Sequence, residues 1–137
     1  MQMKEIKHII AILCLVFLLP GMPVKAQEVH AYAKLDTTAI SIGDQIGLTL
    51  GIDIPKHFVV QWPVLNDTLA PHVEIISRGK IDSVRQNDLL KIQQRLIITS
   101  FDSGAYNIKP FIFHFKNRAD GRIIDANTQD LYLQVYS

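Results

Sequence analysis

Residues 45–54 alternate without a fault: Ile46, Leu48, Leu50, Ile52 and Ile54 fall on one side, and Gln45, Gly47, Thr49, Gly51 and Asp53 on the other. A period of two sustained over this length predicts a strand with one buried and one open face, because a helix would scatter the same aliphatics around its circumference. Leu89–Thr99 repeats the pattern, with Leu90, Ile92, Leu96 and Ile98 on one face. Further runs predict strands over 29–35, 39–42, 57–62, 73–77, 80–84, 105–115 and 131–136, with breaks at Gly43-Asp44, Pro63 and Arg78-Gly79. Spacings of roughly 10 to 15 residues between such runs are the rhythm of a β-sandwich. Pro110 lacks a ladder donor, so a bulge or an edge is expected there. Asp120-Gly121 reads as a hairpin turn feeding a short strand over 122–124. The polar stretch 82–88 reads as a turn, and nothing suggests a linker, a repeat or a second domain.

The N-terminus differs in kind. Lys4 and Lys7 precede an apolar run over residues 9–19; Pro20, Gly21 and Pro23 follow, and Val24-Lys25-Ala26 closes the segment. This is the layout of a secretory signal, residues 1–26, with cleavage expected after Ala26. The apolar run is shorter than the ~20 residues a bilayer span needs. Cys14, the chain's one cysteine, sits inside that run behind bulky Leu13, where it reads as a small apolar residue rather than a lipidation site. The domain over 27–137 therefore has no disulfide and must hold together by burial.

Charge narrows the partners. Setting aside the three lysines and one glutamate of residues 1–26 leaves 11 basic and 12 acidic residues, a net charge of −1. They are interspersed, which argues against nucleic acid or a polybasic membrane patch.

Chemistry is thin. His30, His57, His72 and His114 fall on separate predicted strands or their starts, without metal-ligand spacing. There is no G-x-S-x-G elbow and no phosphate-cradling loop. Asp120, Asp125 and Asn127 lack the alternating ligand ladder of a calcium loop and read as solvated turn residues. No catalytic, cofactor or metal residue is expected. Gly47, Thr49 and Gly51 make a small-residue stripe, which either admits a partner's backbone or simply faces solvent. Tyr132 and Tyr136 alternate opposite Leu131, Leu133 and Val135 and are expected to face outward as a contact surface. These five are the candidate interface.

Asp102-Ser103-Gly104-Ala105-Tyr106 runs straight into a predicted strand. In immunoglobulin-type sandwiches a tyrosine occupies such a corner, its hydroxyl bonding back to nearby backbone. Asp102 and Gly104 suit the tight turn before it. Ile108 takes the place where antibody domains carry their second cysteine, and Trp62 is the candidate core tryptophan. Asp102 shows no His or Glu partner in the sequence, so Asp102, Gly104 and Tyr106 are read as a structural corner. The fold expected is an all-β, immunoglobulin-like antiparallel sandwich of about seven to eight strands.

Lys34-Leu35-Asp36-Thr37-Thr38, Ile42-Gly43-Asp44-Gln45-Ile46, Val60-Gln61-Trp62-Pro63 and 99–106 together resemble the exported N-terminal Ig-like domains of Bacteroidetes envelope proteins, similar to the N-terminal part of the BatD (aerotolerance-operon) family. The resemblance implies a periplasmic, non-enzymatic module working by contact with an envelope protein. Family members usually carry a transmembrane segment after the Ig-like part. A membrane tether is expected here only if the chain is truncated or its signal stays uncleaved. The alternative is a carbohydrate-binding or adhesin-like module, requiring Trp62 or the tyrosines as an open aromatic platform. A small hydrolase would need the histidines and carboxylates to converge.

Overall fold

Each alternating run settles with its apolar side inward. The computed structural model describes residue 21 and residues 29–137; the signal segment, its cleavage point and Cys14 lie outside the described residues. The strands are β1 (His30–Leu35), β2 (Ala39–Ser41), β3 (Gln45–Pro55), β4 (Phe58–Gln61), β5 (Thr68–Ala70), β6 (Val73–Gln86), β7 (Leu89–Thr99), β8 (Gly104–Ile108), β9 (Ile112–Asn117), β10 (Ile123–Asn127) and β11 (Leu131–Tyr136).

One layer is a five-stranded sheet in the order β1-β3-β7-β6-β5. The other is built from β10-β9-β4 and β2-β11-β8. All pairings are antiparallel except β2 with β11. The first segment of the chain thus starts on one layer as β1 and crosses to the other as β2. With β3, β7 and β6 in one layer and β4, β8/β9 and β10/β11 in the other, this is the immunoglobulin-like arrangement of a four-strand sheet facing the C, F and G strands. The count of eleven exceeds the expected seven to eight because three segments are each divided in two (β1/β2, β8/β9 and β10/β11) and the short β5 is added beside β6.

The core lies between the layers. Leu48, Leu50, Ile52 and Ile54 of β3 are fully buried, as are Leu96 and Ile98 of β7, Phe113 of β9 and Val73 of β6. They pack in one cluster with Phe115, Ile108, Leu133 and Val135.

Several local readings change. The segments expected at 73–77 and 80–84 are one strand, β6, whose register slips between Ile75 and Ser77 and again between Arg78 and Ile81. Gly79 accounts for the second slip: it passes so close to the Arg95 carbonyl that a Cβ would lie 2.7 Å from its oxygen. The polar stretch 82–88 is strand as far as Gln86; only Asn87 and Asp88 turn, between paired Gln86 and Leu89, with Asn87 at φ 56°. Polarity misled because β6 is exposed along nearly its whole length.

Pro110 does more than bulge a strand. β8 ends at Ile108 and β9 starts at Ile112, while across from them β10 ends at Asn127 and β11 starts at Leu131. The buried Thr128 joins the two gaps. Its Oγ1 accepts from the Phe111 N–H at 2.8 Å, and its own N–H donates to the Phe111 carbonyl at 3.0 Å. The long ribbon is therefore split at one level, its near half pairing with β2 and its far half with β4.

Candidate functional site

At the corner, the Tyr106 hydroxyl shares its proton between the carbonyls of Asp102, at 2.9 Å, and Ser103, at 3.1 Å. Gly104 sits at φ 150°, a conformation that L side chains rarely adopt. Ser100 is buried, and its Oγ accepts from the Asp102 N–H and donates to the Asp102 carbonyl, closing the turn from below. Replacing Tyr106 by phenylalanine is expected to lower stability by about 1 kcal/mol or more, the net value of such a bond. Chemical denaturation would read this, and an unchanged midpoint would contradict the corner's role.

Asp102 does have a partner, contrary to the sequence reading. His72 Nδ1 lies 2.8 Å from Asp102 Oδ2, with both side chains more than half exposed. The pair forms because Pro71-His72 is the tight turn joining β5 to β6, with His72 at φ 68°, a region where histidine is tolerated more often than most residues. Thirty residues separate the partners in sequence, so only the meeting of the two layers brings them together. A second pair, His114 Nδ1 to Asp125 Oδ1 at 2.6 Å, bridges β9 and β10. Asp120 caps its own turn through the Arg122 N–H, so Asp120, Asp125 and Asn127 form no shared site. Among the described residues no group of three or more His, Cys, Asp or Glu side chains is placed to hold a metal ion.

The small-residue stripe is not open. Gly47 and Gly51 are buried and Thr49 is partly buried, because neighbouring strands lay long side chains across them. A Cβ at Gly51 would run into the ring of Tyr32, its direct partner across the β1–β3 ladder, and one at Gly47 into the guanidinium of Arg95. The Tyr32 hydroxyl accepts from Gln93 Nε2. Arg95 reaches on to Asp36, with Nη1 at 3.1 Å from Oδ1 and Nη2 on Oδ2, and the Gly47 N–H also donates to Asp36. The glycines are the floor of an intramolecular latch, and a partner on this face would meet Tyr32 and Arg95 instead.

Within that latch the Arg95 guanidinium holds the Asp36 carboxyl below its ordinary value, with the Gly47 N–H assisting against partial desolvation. Arg95 is raised in return. A carboxyl depressed in the folded state adds stability above its unfolded pKa, and that stability is lost as pH falls through the folded pKa. Arg95→Gln should raise the Asp36 titration midpoint, read by NMR at the carboxyl carbon, towards the usual carboxylate value. A midpoint that stays put would deny the pairing.

Tyr132 and Tyr136 do face solvent, 65% and 57% exposed, on the outer side of β11. Trp62 does not form a platform. It packs edge-on against Phe113, ring centres 4.9 Å apart at 83°, and its Nε1–H donates to Gln94 Oε1 at 2.7 Å. It occupies the place of the core tryptophan even though it falls one residue past the end of β4.

Sequence reading missed a groove of about 830 Å³ between β1, β11 and β8. Ala33, Leu35, Leu131 and Leu133 line it together with Tyr106, and Lys34, Asp130 and Tyr132 also border it. No periodicity announces it, since it lies where β1 leaves one layer before β2 joins the other.

No family model matches the sequence, and no curated protein matches it. Among solved structures, a non-cellulosomal cohesin from the hyperthermophilic archaeon Archaeoglobus fulgidus is similar at 9% identity and a TM-score of 0.46, over 81% of this chain and 93% of that one.

Proposed function

We propose that this chain is an exported, non-enzymatic immunoglobulin-like module that acts by protein–protein contact in the cell envelope, in the manner expected of the N-terminal part of a BatD-like protein. The supporting observation is the pair of outward tyrosines on β11, Tyr132 and Tyr136, both more than half exposed on one strand face. Tyrosine buries a large amphipathic area at low entropy cost. Tyrosines held on a paired strand meet a partner already ordered. Compartment and partner follow from the signal-like N-terminus and the family resemblance.

A pull-down from envelope extract with the folded domain as bait tests this. The wild type should recover a partner that the Tyr132→Ser/Tyr136→Ser double variant loses, with both baits showing the same thermal unfolding. Recovery of nothing above background by a folded wild-type bait would sink the reading. Capture of glycan rather than protein, lost with the same tyrosines, would instead support the carbohydrate-binding alternative.

A further inference from the structure

Basic residues are spread along the sequence, but folding gathers three of them at one end of the β10-β9-β4 sheet. Lys116 lies on the outer face of β9, and Arg118 and Arg122 begin and end the connection from β9 to β10. All three are exposed. Among the described residues no carboxylate forms an ion pair with any of them. Asp120, the acid of the same connection, accepts from the Arg122 N–H at 2.8 Å. Lys56, on the neighbouring β3–β4 turn, is matched by Asp88 at 3.9 Å, and Asp125 is bonded to His114.

Backbone bonds fix where these cations sit. Asn117 is buried, and its Oδ1 accepts from the Ala119 N–H at 2.9 Å. The Gly121 N–H donates to the Asn117 carbonyl at 2.8 Å, and the Asn117 N–H to the Arg122 carbonyl at 2.9 Å. The Arg118 N–H donates to the His57 carbonyl at 2.8 Å, which ties the connection to the β3–β4 turn. Lys116 stands between Val59 of β4 and Ile123 of β10, its direct partners across the two ladders. Direct cross-strand partners point to the same face. Both aliphatics are open, 42% and 70% exposed. An unanswered lysine charge therefore sits between two uncovered aliphatic side chains.

We propose that this end of the β4–β9–β10 face is a second contact surface, for an acidic stretch of a partner protein with aliphatic side chains between its carboxylates. It does not depend on the tyrosine face of β11. Carboxylates answer Lys116, Arg118 and Arg122, and a guanidinium meets a carboxylate with two parallel bonds. The aliphatic side chains cover Val59 and Ile123. Other anions fit this chemistry less well. Single-stranded nucleic acid takes aromatic stacking platforms beside its cations, and the row beside Lys116 is aliphatic. An anionic membrane is met by clusters of about four to eight basic residues, more than are gathered here.

NMR amide shifts of the purified chain, titrated with a capped peptide alternating glutamate and valine, test the proposal. Val59, Lys116, Arg118 and Ile123 should move together and report one Kd. The same peptide with glutamine for glutamate should leave them in place. Lys116→Gln/Arg118→Gln/Arg122→Gln should raise the Kd about tenfold, each exposed ion pair supplying roughly two- to threefold. Ile123→Ser should raise it about threefold through lost apolar contact. The substituted positions are exposed, and thermal unfolding matching the wild type would show that the variants fold. Tyr132→Ser/Tyr136→Ser should bind the peptide as the wild type does, and that result would support the proposal whether or not the variant loses the envelope partner. Shifts centred on Arg78 and Lys80 of β6, an equal response to the glutamine peptide, or unchanged affinity in Ile123→Ser would each overturn it. So would loss of peptide binding in the tyrosine variant, or capture of phosphatidylglycerol vesicles with no response to the peptide.

Discussion

Phe113→Ala should destabilise the domain by about 3–5 kcal/mol, the range for truncating a large buried aromatic. Phe113 is fully buried. Its ring meets Trp62 edge-on and stacks on Phe115 at 6.4 Å and 19°. Antibody domains pack their core tryptophan against an inter-sheet disulfide. The described residues contain no cysteine, and this aromatic cluster occupies the middle of the sandwich instead. A domain of this size is stable by roughly 5–15 kcal/mol, so the loss would consume a large share and move the urea midpoint visibly. A cost below about 1 kcal/mol, within the scatter of ordinary surface changes, would show that the cluster is not central.

Trp62→Phe tests the polar end of the same cluster. The indole N–H is the donor to Gln94 Oε1, and Gln94 is only 8% exposed. Its Nε2 is spent on the Gly79 carbonyl at 3.0 Å. Phenylalanine keeps most of the edge contact with Phe113 but strands the Gln94 oxygen, and an unsatisfied buried acceptor costs about 1–3 kcal/mol. Adding Gln94→Leu to the phenylalanine variant should recover part of that loss, because removing both partners of a buried bond costs less than removing one. If the double variant is no more stable than Trp62→Phe, the penalty lies elsewhere.

The parts of this fold legible in sequence are those where burial is one-sided. Leu89–Thr99 and Leu131–Tyr136 were read to their ends because one face of each is core and the other is not. β5 escaped notice: three residues, Thr68–Ala70, offer too short a run to show a period. The end of β6, within the stretch 82–88, reads as a turn in sequence because neither face is buried there, and without burial there is no alternation to see. The corner at Tyr106 was readable since its hydrogen bonds span only three and four residues. The His72–Asp102 pair, the cover over Gly47 and Gly51, and the groove beside β1 all arise between segments far apart in sequence. No local pattern encodes them.

The Phe111–Thr128 junction makes the β8–β11 ribbon two ladders rather than one. Above it, β8 and β11 are anchored by β2; below it, β9 and β10 are anchored by β4. Cooperative opening spreads along continuous ladders and stops where they are interrupted. β10, whose residues are all exposed or half-buried, can therefore fray at its outer edge, while Phe113 and Phe115 keep β9 in the core. The tyrosine face of β11 lies across the junction from that loose edge, in the ladder closed by β8 and β2.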